Sequence, residues 1–123
     1  MQEVVAVLGA SADTRRFANR AQRMLSAHGH RVLPVNPGLA EVEAVPTVLL
    51  DDLPEGLDTV TVYLSAPRML PLIEDLARRR PRRVILNPGA DDPTVVAALQ
   101  EAGLAVQLAC TLVLLESGRY AQV

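Results

Sequence analysis

The chain has 123 residues, half of them apolar, with 12 basic and 14 acidic side chains and a formal charge of −2. That length supports one domain around one core, and the balanced charge gives no electrostatic footprint for nucleic acid. No apolar run reaches the roughly 20 residues of a membrane span, and Val4–Leu8 is too short for a signal-peptide core, so a cytoplasmic protein is expected. The single cysteine, Cys110, cannot close an internal disulfide, which fits a reducing compartment. Every basic residue is arginine, which excludes a P-loop lysine and a Schiff-base lysine.

In chain order, the first strand is expected over Val4–Leu8 and stops at Gly9, followed by the small-residue turn Ala10-Ser11-Ala12. Arg15 and Arg16 then stand at the mouth of a helix that carries Phe17, Ala21, Met24, Leu25 and His28 on one face and ends at Gly29. A second strand is expected over Arg31–Val35, and a short extra strand near Thr47–Leu49 fits the pattern. A third strand spans Thr59–Leu64. The next helix carries Leu72, Ile73, Leu76 and Ala77, with Pro71 in its first turn. A fourth strand spans Arg83–Asn87. Asp92 is placed to cap a helix that begins with Pro93 and ends at Gly103, and a fifth strand spans Leu104–Leu108. The stretch Leu112–Leu115 either completes the core or covers a protein partner or a second copy.

These strands are dense in Val, Leu and Ile without strict alternation, as strands buried on both faces are. Alternation with helices argues a single α/β domain, a doubly wound Rossmann-like parallel sheet of about five strands with helices on both faces. Right-handed crossovers give the order 3-2-1-4-5 most simply, which puts the ligand crevice between strands 1 and 4, beyond their carboxyl ends.

The strand exits on that edge are all small, polar or turn-forming: Gly9-Ala10-Ser11, Asn36-Pro37-Gly38, Ser65-Ala66-Pro67-Arg68, Asn87-Pro88-Gly89-Ala90 and Cys110-Thr111. The first joins a strand to a helix N-terminus with added arginines, the arrangement that cradles phosphate. It departs from the G-x-G-x-x-G dinucleotide pattern, because Ser11 and Thr14 replace the second and third glycines. The second strand delivers Asn36 where an NAD site presents an acid, so ordinary NAD(P) binding is disfavoured.

Leu8-Gly9-Ala10-Ser11, Arg15-Arg16, and then Val32-Leu33-Pro34-Val35-Asn36-Pro37 resemble the small single-domain CoA-binding protein family. They also resemble the CoA-binding domain of the succinyl-CoA synthetase α subunit and its acyl-CoA synthetase relatives. The resemblance continues through Asn87-Pro88-Gly89-Ala90 and Cys110-Thr111. It implies coenzyme A or an acyl-CoA as ligand, with Gly9, Ala10 and Ser11 on the pyrophosphate and Arg15 or Arg16 on a phosphate. It also implies Val35, Asn36 and Pro37 beside the adenosine, Ser65, Ala66 and Pro67 flanking it, and Asn87, Pro88 and Gly89 on the opposite wall. Relatives often carry an aromatic and basic segment after the third strand, where this chain has Tyr63-Leu64-Ser65-Ala66-Pro67. The further domains of an acyl-CoA synthetase do not fit in this length, so a binding module without self-contained catalysis is expected. The rivals are a degenerate NAD(P) protein, a thiol-transfer enzyme using Cys110, and an interaction subunit without ligand.

Other chemistry-bearing residues have plainer readings. Cys110 falls on the ligand edge, where a thiol would meet the pantetheine sulfur, but free cysteines more often pack as small buried residues. His28 and His30 lack the cluster that a metal site needs, and His28 suits a helix C-terminus. Asp51-Asp52 sits in a turn and Asp91-Asp92 at a helix cap. The basic cluster Arg78–Arg83 closes a helix at the end of the sheet away from the crevice.

Overall fold

The computed structural model describes residues 1–121. Five parallel strands form its centre: β1 (Val4–Leu8), β2 (Arg31–Val35), β5 (Thr59–Val62), β6 (Arg83–Leu86) and β7 (Val106–Leu108). A two-stranded hairpin, β3 (Glu41–Val42) and β4 (Val45–Pro46), follows β2 in place of the extra strand expected at Thr47–Leu49. The helices are α1 (Phe17–Ala27), α2 (Ala66–Met69), α3 (Ile73–Arg78), α4 (Pro93–Glu101) and α5 (Thr111–Glu116). Pro71 lies in a 3₁₀ turn, Leu70–Leu72, that joins α2 to α3, so the helical segment starts earlier than the sequence suggests. Asp92 caps α4, its Oδ1 accepting from the Thr94 N–H at 2.8 Å.

The central strands are buried on both faces, and the pleat sends alternate side chains to two cores. Ala6, Leu8, Val60, Val62, Val84 and Leu86 meet Met69, Leu76, Val95 and Leu99 under α2, α3 and α4. Val5, Val7 and Ile85 meet Ala18, Leu25 and Leu115 under α1 and α5. The apolar stretch Leu112–Leu115 therefore contributes to the core, although Val113 remains 52% exposed. Among the described residues, no helix is long and apolar enough to cross a membrane.

The strand order is β2-β1-β5-β6-β7, or 2-1-3-4-5 in the order of the five long strands. This corrects the expected 3-2-1-4-5: the third long strand lies inside the sheet, beside β1. Pro34 explains the difference. Its carbonyl accepts from the Val48 N–H at 2.9 Å, so the outer edge of β2 meets the strap that follows β4. Within a strand the N–H and C=O of one residue face the same side, so the donor that Pro34 lacks is missing from that outer edge. A proline fits an edge strand and would interrupt a ladder there. β5, buried along its whole length, takes the interior place instead. The point where strand order reverses is consequently between β1 and β5.

The amino-terminal ends of the strands carry a buried polar network. Arg83, 4% exposed, donates to Thr59 Oγ1 (2.9 Å), Gln107 Oε1 (2.9 Å) and the Tyr120 carbonyl (2.8 Å). It faces Glu3 at 3.8 Å and stacks on the Tyr120 ring at 4.5 Å. Glu3 in turn accepts from Thr59 and Tyr120. Arg83 is thus a core residue, whereas Arg78, Arg80 and Arg82 pair with surface acids.

His30 belongs to the same end. Its Nδ1 accepts from the Glu3 N–H at 3.0 Å, so the ring is neutral with its proton on Nε2. Burial holds its pKa below the usual histidine value, against the opposing pull of Glu3. Folding therefore refuses a proton that the unfolded chain accepts. His30's contribution is complete above about pH 6.5 and declines as pH falls below it. Urea midpoints at pH 7.5 and 5.5 are expected to fall less in His30→Asn than in the wild type. An equal fall in both chains would remove His30 from the account.

Candidate functional site

Gly9 makes the site geometrically accessible. It has φ +89°, and a Cβ there would lie 2.9 Å from Leu64 Cδ2 and 3.1 Å from the Tyr63 carbonyl. Only glycine lets the chain leave β1 so close to the exit of β5. The next residues fold back onto β2. The N–H groups of Gly9 and Ala10 both donate to the Val35 carbonyl, at 3.1 and 3.2 Å, so these two donors are occupied by the protein itself.

Side-chain amides hold the rest of the loop. Asn36 donates from Nδ2 to the Ala10 carbonyl at 2.8 Å, while its Oδ1 accepts from the Gly38 N–H. Asn19, fully buried in α1, donates to the Ser11 carbonyl at 2.9 Å. Ser11 Oγ accepts from the Asp13 N–H, which leaves its own proton to donate. The N–H groups of Ser11 and Ala12 have no hydrogen-bond partner among the described residues.

The arginines divide into two kinds. Arg15 is engaged by Asp13 through Nε–Oδ1 at 3.1 Å and Nη2–Oδ2 at 3.2 Å, and this pairing holds the Asp13 carboxyl below its usual pKa. Arg16 and Arg68 have no carboxylate partner among the described residues.

A cleft of about 690 Å³ opens beyond the carboxyl ends of β1, β2 and β5. One bank is formed by Ser11, Arg16 and Phe17, which is 63% exposed here rather than buried on the helix face as its spacing suggests. Val35, Asn36 and Pro37 close one end. The other bank is apolar apart from Arg68: Val48, Leu49, Leu50, Leu64 and Leu72. No acidic side chain among the described residues lines it. Tyr63 contributes to the wall while its phenol is buried, which pushes its pKa up to about 12.

Of the residues expected from sequence, Gly9, Ala10, Ser11, Arg15, Arg16, Val35, Asn36 and Pro37 meet in this cleft. Ser65, Ala66 and Pro67 lead into α2 beside it without lining it. Asn87, Pro88, Gly89 and Cys110 lie outside it. The crevice expected between the first and fourth strands is accordingly found between β1 and β5. Asn87 has its amide fully engaged: Nδ2 donates to Thr61 Oγ1 and the Val62 carbonyl, and Oδ1 accepts from the Thr111 N–H. It ties β5, β6 and α5 together. Cys110 follows β7, three strand spacings from β1, roughly 14 Å across the sheet. The strap Val48–Leu50, Leu64 and Leu72 are not among the residues expected to line a site, and Arg68 is expected on the ligand edge only as part of the third strand's exit.

A model of the CoA binding domain family matches residues 3–116. The chain belongs to that family. Two solved structures agree over nearly the whole of this CoA-binding domain. A crystal structure of an uncharacterized protein is 33% identical over 97% of this chain and 98% of its own, with a TM-score of 0.89. The structure of cell-free ID.343 from Thermus thermophilus is 34% identical over 97% and 90%, with a TM-score of 0.83. The fold also recurs in the Ca. Korarchaeum cryptofilum dinucleotide-forming acetyl-coenzyme A synthetase 1 in complex with phosphate and ADP. That protein is 20% identical over 87% of this chain and 25% of its own, at a TM-score of 0.73. No protein of curated function matches the chain.

Proposed function

We propose that the cleft between β1, β2 and β5 binds coenzyme A or an acyl-CoA. The observation that carries this reading is the pairing of free anion donors with an apolar bank. The Ser11 N–H and hydroxyl and two guanidiniums without a carboxylate partner among the described residues, Arg16 and Arg68, belong to the lining of a cleft that is otherwise mostly apolar, apart from the Asn36 amide, the Tyr63 phenol and the Asp13-engaged Arg15. Phosphates take the N–H groups and guanidiniums. The adenosine or the pantetheine arm takes the apolar bank. A cleft of this volume lies within the usual range for small-molecule and cofactor sites, about 300–1,000 Å³.

The lining favours binding over chemistry. It includes no carboxylate, imidazole or thiol, and its one phenol is held at about 12, so nothing in it moves a proton near neutral pH. The exit of β2 presents Asn36, whose amide is already spent on the loop, and so offers no acid to a ribose.

A thermal-shift panel tests the reading. A ligand at about 100 times its Kd stabilises by about 2.7 kcal/mol. The shift with CoA is expected to exceed those with dephospho-CoA, NAD, NADP and ATP. A clear shift with NAD or NADP and none with CoA would reverse the assignment. The two arginines are expected to separate. Arg16→Ala weakens CoA binding and flattens its salt dependence, whereas Arg15→Ala does so much less because Asp13 already engages that charge.

A further inference from the structure

We propose that Asn19, locked by the exposed Arg23, is a positioning residue that presents the anion-binding N–H groups of the loop without touching the ligand. The proposal rests on the reading of the cleft as a CoA site. Asn19 is completely buried in the first turn of α1, and a buried amide needs all its polar atoms satisfied. Here they are satisfied in one orientation only. Nδ2 donates to the Ser11 carbonyl at 2.9 Å and to Glu43 Oε2, in the turn of the β3–β4 hairpin, at 3.3 Å. Oδ1 accepts from Arg23 Nε at 2.8 Å. Because a guanidinium only donates, Arg23 fixes which end of the amide faces it and so forces the donor end onto Ser11. The same guanidinium donates from Nη2 to the Thr14 carbonyl at 2.8 Å, pinning the far end of the loop.

The geometry of the peptide group completes the argument. The C=O and N–H of a trans peptide point in opposite directions. With the Ser11 carbonyl held on Asn19, the Ala12 N–H faces away from it. With the Ala10 carbonyl held on Asn36, the Ser11 N–H faces away from that amide. Two successive N–H groups are thereby left without a partner among the described residues, the arrangement of an anion-binding nest, and Ser11 sets it at the lining of the cleft. Neither Asn19 nor Arg23 lines the cleft. A loop that must reorient on binding loses affinity, and preorganisation removes that loss.

The test is a set of CoA titrations by calorimetry on the wild type, Asn19→Asp and Arg23→Lys, each at several salt concentrations. Asn19→Asp keeps the shape and removes both donors. Arg23→Lys keeps the charge on an exposed side chain and removes the planar fork, so it leaves folding intact even if the buried variant is unstable. Both are expected to weaken CoA binding, by about tenfold for Asn19→Asp and less for Arg23→Lys. In the charge-conserving Arg23→Lys the slope of affinity against salt is expected to stay at its wild-type value, because Arg16 and Arg68 are untouched. Restoration of affinity in Asn19→Gln would support the same role. Wild-type affinity in both Asn19→Asp and Arg23→Lys would overturn the positioning role alone, as would a loss in Arg23→Lys matched by a changed salt slope. A wild-type chain that binds no CoA would overturn the functional reading and this proposal with it.

Discussion

Gly9→Ala is expected to lower stability by about 2–3 kcal/mol and to abolish CoA binding at concentrations that saturate the wild type. Two effects add. An L-residue at φ +89° carries a backbone penalty of about 1–2 kcal/mol. The new methyl also meets Leu64 Cδ2 at 2.9 Å and the Tyr63 carbonyl at 3.1 Å, and such overpacking costs about 1–3 kcal/mol. A smaller unfolded-state entropy offsets under 1 kcal/mol of this. The leucine side chain can move but the Tyr63 backbone cannot, so the loop shifts away from β5 and its donors leave the cleft. Thermal unfolding is expected to fall by roughly 10 °C. A variant with wild-type stability and wild-type affinity would show that the loop tolerates a side chain and that the close approach to β5 is immaterial.

Arg83→Leu is expected to have the largest effect on stability and little effect on the ligand. Removing the guanidinium leaves Thr59 Oγ1, Gln107 and the Tyr120 carbonyl without the donor they share and takes from Glu3 the cation that faces it, in a largely buried region. Breaking a buried pair from one side costs about 3–5 kcal/mol. The network lies at the amino-terminal end of the strands, opposite the cleft, so the fraction that remains folded is expected to bind CoA normally. Urea denaturation with and without CoA separates the two quantities. A small stability loss would mean that water reaches these groups and satisfies them.

The sequence announces most of the fold because its signals are local. The apolar runs and the Asp92-Pro93 start of α4 act within a few residues, and they appear where expected, except that β5 and β6 stop two and one residues early and β7 starts two residues late. The order of the strands is not local. It depends on which strand tolerates an edge, and Pro34, which carries part of the family resemblance, is also the cue that β2 is that strand. The position of the cleft follows the strand order. The expected order puts a crevice between strands 1 and 4, and the resemblance implies Asn87-Pro88-Gly89 on its opposite wall. In the folded chain β5 stands beside β1, and the wall comes from its exit and from the strap Val48–Leu50.

The loop shows the same division. Gly9 and Ser11 could be read as phosphate-loop residues from their place after a strand. That the Gly9 and Ala10 donors are taken by Val35 follows from the register of β1 against β2, which no spacing rule supplies. Arg15 and Arg16 are indistinguishable in sequence. Only the side-chain geometry of Asp13 shows that one is engaged and the other free. Arg68 stands in the sequence at the third strand's exit, and the start of α2 at Ala66, shortly after β5, brings that side chain to the cleft.

The central claim is that CoA occupies the cleft above β1, β2 and β5. A titration of the isotopically labelled protein with CoA, followed through backbone amide shifts, tests it most directly. The account predicts saturable shifts at Ser11, Ala12, Arg16, Asn36, Leu50 and Arg68, with the amides of Gly89 and Cys110 nearly unmoved. Shifts centred on Gly89 and Cys110, or none at saturating CoA, would contradict it.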